Sequence, residues 1–126
     1  WIPHQITYAG GIDMLSNPSG DSILTSWEKI VRYDPEVLVI APCGFDIHRT
    51  KKEMELLIPK QGWNDLTAVK NQQVFIADFE LFTQPSASTL VDGIELLAAL
   101  FHSGLFSMPA HLSSKFYHYS KAGIYV

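Results

Sequence analysis

The sequence predicts an α/β fold, a small parallel sheet with helices on both faces. Two short apolar runs, Val37–Ala41 and Val74–Ala77, carry the prediction. Each is unbroken, and the first is dominated by β-branched residues, the mark of a strand covered on both sides. Segments of helical period flank both runs, so the order reads helix, strand, helix, strand, helix. That order favours a right-handed crossover between two neighbouring parallel strands.

Ile2, Ile6 and Ala9 fall at helical spacing, and Gly10-Gly11 ends that helix because glycine accepts positive φ. Residues 12–22 are rich in Ser, Asn, Asp, Gly and Pro and read as a loop, with room for a short strand at Ile12–Leu15. A helix is expected over 26–33, with Ile23, Trp27, Ile30 and Val31 as its apolar stripe and Thr25-x-x-Glu28 as a capping box. Asp34-Pro35 stops it, because a residue before proline avoids the α region.

After the first strand, Pro42-Cys43-Gly44-Phe45 makes a turn, and Asp46 caps a helix over 47–58 that turns Ile47, Met54, Leu57 and Ile58 inward. Residues 62–71 form a connector with one helical turn at Asp65–Val69, and Glu80–Pro85 reads as a loop. A helix over 87–103 places Leu90, Ile94, Leu97, Ala98 and Phe101 on one face. Residues 106–126 show no strong period and are expected to be a C-terminal tail, leaving 1–105 as one α/β lobe.

The 126 residues suit one domain, and 47% hydrophobic with 17% charged residues is a globular composition. A net charge of −4 without a basic stripe argues against nucleic acid as a partner, since phosphate neutralisation supplies most of such affinity. No apolar run approaches the roughly 18 residues of a membrane span. The one cysteine, Cys43, excludes an internal disulfide and a cysteine-based zinc site. The sequence opens on Trp1 at the start of a helix with no visible signal peptide, and is expected to be part of a longer protein.

No phosphate loop, dinucleotide fingerprint or Gly-x-Ser-x-Gly elbow occurs. His4, His48, His102, His111 and His118 are scattered, without metal-ligand spacing, so a metal site would need long-range assembly, with His4 and His48 as its pair. Cys43 sits at the C-terminal end of a parallel strand, where α/β folds place ligands. It suits lining a cleft, packing, or acting as a nucleophile in an α/β enzyme if a histidine stands beside it. Gly44, Phe45, Phe79 and Phe82 fall at or just after strand ends, and Trp1 begins the first helix. Flat aromatics at that edge suit a large planar ligand, and core packing is the alternative for each. Trp27 and Trp63 lie within apolar patterns and are expected to pack.

Several strings in order resemble one family. These are Trp1-Ile2-Pro3, Ala9-Gly10-Gly11, Ser26-Trp27-Glu28-x-Ile30, Asp34-Pro35-Glu36-Val37, Ala41-Pro42-Cys43-Gly44-Phe45, Gly62-Trp63-x-x-Leu66-x-Ala68-Val69-Lys70-Asn71 and Leu90-Val91-Asp92-Gly93-Ile94-Glu95. Together they are similar to the C-terminal half of cobalamin- or siderophore-type solute-binding proteins of ABC importers, the class III group whose two lobes are joined by one long helix. The resemblance implies a Rossmann-like lobe, a missing N-terminal lobe across a cleft, and no enzymatic activity. It further implies a corrinoid (cobalamin-like) or ferric-siderophore ligand carried as cargo, with no covalent cofactor. Trp1, Cys43, Gly44, Phe45, Phe79 and Phe82 would line the cleft. It implies an ABC-transporter permease as partner, with Glu28 as the carboxylate that docks to permease arginines. Location would be periplasmic, or extracellular and membrane-anchored, although relatives without export signals leave the cytoplasm open.

Overall fold

The computed structural model describes residues 2–13, 15, 26–42, 44–83, 86–102 and 104–119. The chain divides into two compact units: residues 1–24 with 80–114, and residues 25–79 with 115–126.

The second unit holds the sheet, with strands β1 (Leu38–Ile40), β2 (Val74–Ala77) and β3 (Phe116–His118) in the order β1-β2-β3. β1 and β2 pair in parallel, Leu38 opposite Val74 and Ile40 opposite Ile76, as the two apolar runs require. β3 is antiparallel to β2, with Ile76 opposite Tyr117. The sheet is therefore mixed, and the stretch expected as a tail supplies its third strand. Tyr119 and Leu112, at 4% and 1% exposure, are as buried as any core residue.

Strand alternation sends Val74 and Ile76 to one face. There they form the core with Met54 of α3 (Ile47–Leu57), Ala68 and Val69 of α4 (Thr67–Lys70), Trp63, Leu66 and Tyr119, while Leu38, Ile40 and Val31 of α2 (Trp27–Tyr33) pack against it. The opposite face carries Phe75, which meets Phe116 edge-on and His118 in a stack 4.9 Å away. Phe75 and Ala77 are buried too, so both faces of β2 are covered.

Caps explain where the helices begin. Asp46 accepts the Arg49 N–H at 2.7 Å and starts α3, as expected. For α2 the cap is Ser26, which accepts from the Lys29 N–H, and the expected Thr25 lies outside the described residues. α4 has no side-chain cap of its own. Asp34, which ends α2 in the left-handed region at φ 50°, supplies one from 33 positions away. Its carboxylate accepts the Thr67 N–H at 2.7 Å and the Thr67 hydroxyl at 2.6 Å.

Those two hydrogen bonds hold the Asp34 carboxyl below its ordinary value of 3.8. A depressed folded-state value means the stabilisation is complete above the ordinary value and is lost as pH falls through the lowered one. Asp34→Ala is expected to lower the urea midpoint at pH 7, and the gap from wild type should narrow as pH drops below 3.8. Asp34→Asn, which keeps an acceptor and tolerates the left-handed backbone, should cost less. A gap independent of pH would show that the charge contributes nothing.

The first unit is helical: α1 (Ile2–Tyr8), α5 (Glu80–Thr83), α6 (Ala87–Phe101) and a 3-10 turn at Ala110–Leu112. Gly10 takes φ 86° and ends α1, as expected. No strand forms at the described residues of 12–15, and the expected loop at 80–85 begins with the short helix α5. The buried face of α6 is Gly93, Leu96, Leu97, Ala99 and Leu100. Of the expected stripe only Leu97 is fully buried, because the apolar arc of α6 outside its Ser88-Asp92-Glu95 stripe is wide and its period alone does not choose which part is buried. Gln5 of α1 is 2% exposed, and its Nε2 donates to the carbonyls of Leu81 and Leu90, tying α1 to α5 and α6. Among the described residues no helix is long and apolar enough to cross a membrane.

Candidate functional site

Because β1 and β2 run parallel, the chain leaves both at the same sheet edge, which is where open α/β folds place ligands. After β1, the Phe45 N–H donates to the Pro42 carbonyl at 3.1 Å and closes a turn. Gly44 takes φ 80° at its third position, the left-handed conformation that such a turn demands. Gly44 is exposed, and a Cβ built on it meets nothing within 4 Å. Its role is therefore conformational, and it leaves backbone open at the edge.

Phe45 is half-buried, and the Arg49 guanidinium lies 3.9 Å from its ring centroid. Arg49 stands in the first turn of α3, whose start is set by Asp46, so cap and helix together place the cation over the ring. After β2, the Asp78 N–H donates to the Lys115 carbonyl at 2.8 Å, and its carboxylate lies 3.6 Å from the Lys115 ammonium. Phe79 follows, half-buried. Phe45 and Phe79 thus leave neighbouring strands at one edge, as their positions in the sequence imply.

The other predicted residues fare differently. Trp1 and Cys43 lie outside the described residues. Phe82, on α5, is 5% exposed. The residue looked accessible only while 80–85 was read as a loop. Sequence reasoning missed Arg49, and the signal available was Phe45-x-x-x-Arg49, whose four-residue spacing brings the two together at the start of a helix.

Glu28 is exposed in the first turn of α2. Its neighbour Trp27 is held firmly: the indole N–H donates to the Gln61 carbonyl at 2.7 Å, and the ring stacks on Trp63 at 6.3 Å. Glu28 is thereby carried on an anchored helix at the surface of the second unit.

Three of the histidines have partners of other kinds. His111 pairs with Asp92, His118 bonds the Gln72 carbonyl, and His102 stands against Gly10. Among the described residues no three His, Cys, Asp or Glu side chains gather as a possible metal-ligand set.

Residues 5–81 match the family described as periplasmic binding protein. Among solved structures, the chain resembles the TroA-like periplasmic binding protein FepB from Veillonella parvula. The TM-score is 0.64 with 21% identity, over 82% of this chain and 33% of that one. At that identity the likeness speaks for the fold, and this chain spans a third of the FepB chain's length. No curated protein matches the sequence.

Proposed function

This chain belongs to the periplasmic binding protein family, and we propose that it is the C-terminal lobe of a two-lobe solute receptor serving an ABC importer. The observation that carries the reading is the shared edge after β1 and β2, where Gly44, Phe45 and Phe79 leave the sheet together. An open backbone turn with aromatic residues following both strands suits a large, flat, partly apolar ligand, and a corrinoid or a ferric siderophore has that character. In the complete receptor a second lobe would close over this edge. Work outside the cytoplasm, in the periplasm or at the cell exterior, follows from the same reading.

Titrating the full-length protein with cobalamin, cobinamide, haem and ferric siderophores, followed by tryptophan fluorescence, tests this. One ligand class should bind at or below about micromolar Kd, and the 126-residue chain alone should bind it roughly 100-fold more weakly, since half the contacts are absent. Failure of every ligand, or equal affinity of the isolated chain, overturns the reading.

Glu28 is assigned to permease docking. A carboxylate in the first turn of a helix is favoured by the helix dipole and accepts a bidentate arginine well. Glu28→Ala, combined with removal of the corresponding carboxylate of the other lobe, is expected to leave ligand affinity unchanged and to slow complex formation with the permease. Undiminished permease binding by that double variant would rule the role out.

A further inference from the structure

We propose that Arg49 is an anion-recognising side chain of the ligand edge, so that the solute carries a carboxylate or phosphate beside its flat apolar surface. The inference rests on the receptor reading above and names ligand chemistry that reading leaves open.

The guanidinium lies over the Phe45 ring at 3.9 Å. Stacking engages its flat face and leaves its in-plane N–H donors available. Nothing acidic uses them: among the described residues the ion pairs are His111–Asp92 and Lys115–Asp78, and neither involves Arg49. The nearest acid in sequence, Asp46, is occupied in accepting the Arg49 backbone N–H. An arginine with no acid partner, held in place by an aromatic ring, is a preorganised fork for a planar carboxylate or a phosphate.

The surrounding charge agrees. The chain carries −4 overall, yet His48, Arg49, Lys51 and Lys52 crowd the first half of α3, while its acids, Glu53 and Glu55, come later. Lys51 is drawn onto the Tyr117 ring at 3.4 Å. Arg49, His48 and Lys52 remain exposed. The one anion-attracting cluster on this helix therefore lies at the strand-end edge, and the half-buried Phe45 beneath Arg49 keeps water from one side of the contact.

Three ligand pairs separate the two sources of the anion. Haem against its dimethyl ester reads carboxylate, and cobalamin against cobinamide reads phosphodiester. Ferric citrate against a neutral ferric trihydroxamate reads carboxylate on a metal chelate. Kd values are measured for the full-length wild type, Arg49→Gln and Arg49→Lys, with thermal melting to confirm that the variants fold. In the pair that binds, the acidic member should be preferred. Arg49→Gln should weaken that member roughly 10- to 100-fold, the loss expected for a charge-assisted hydrogen bond, and move the neutral member by less than about twofold. Arg49→Lys should restore part of the loss, because it keeps the charge without the fork. Preference for a neutral member, or equal weakening of both members by Arg49→Gln, overturns this inference and leaves the receptor reading standing. Absence of binding in every pair overturns both.

Discussion

Trp63→Ala is expected to lower the unfolding free energy by about 4 kcal/mol, at the upper end of large-to-small core changes. Trp63 is the largest fully buried side chain among the described residues. It joins four other segments of the chain: it stacks on Trp27 at 6.3 Å, meets Tyr119 edge-on at 6.0 Å, and lies in one cluster with Met54 of α3 and Val74 and Ile76 of β2. Truncation leaves a cavity bounded by α2, α3 and the sheet, and the parallel strands limit how far these elements can collapse into it. Trp63→Phe keeps an aromatic surface and removes a buried indole N–H that has no hydrogen-bond partner among the described residues, so its cost should be only about 1–2 kcal/mol. Urea denaturation followed by circular dichroism measures both. A loss under about 1 kcal/mol for Trp63→Ala would mean the site refills, and that Trp63 is not the keystone of this core.

Gly93→Ala is expected to destabilise by about 2 kcal/mol, although the same change inside an exposed helix stabilises by about 1 kcal/mol. A Cβ at Gly93 would lie 2.4 Å from the Gln5 Nε2 and 2.7 Å from the Leu81 carbonyl oxygen. Gln5 cannot simply swing away, because its amide is bonded to the Leu81 and Leu90 carbonyls. Displacing it would strip buried acceptors and push α1 from α6. Gly93→Val should be worse, and pairing Gly93→Ala with Gln5→Ala should recover part of the loss, the mark of direct coupling between neighbours. Thermal melts of the two single variants and the double variant read this cycle. Additive losses would show that the steric conflict lies elsewhere.

Features encoded within a turn or two of chain were legible in the sequence by itself. The apolar runs at Val37–Ala41 and Val74–Ala77 announced a parallel pair because a strand covered on both faces has no polar side to show. Asp46, Gly10 and Asp34-Pro35 marked helix ends because caps act on backbone groups three or four residues away. The shared edge after the two strands followed from their parallel direction. What the tertiary structure alone decided depended on partners far along the chain. Phe116–His118 has no period of its own and becomes a strand because β2 offers it an unpaired edge. The α4 cap comes from Asp34, the anchor of α1 is a glutamine bonded to carbonyls 76 and 85 positions away, and the apolar α6 has its buried face chosen by what packs on it. Periodicity reports the face a segment can bury, whereas hydrogen-bond pairing and burial report which other segment arrived there, and that second quantity belongs to no local stretch of sequence.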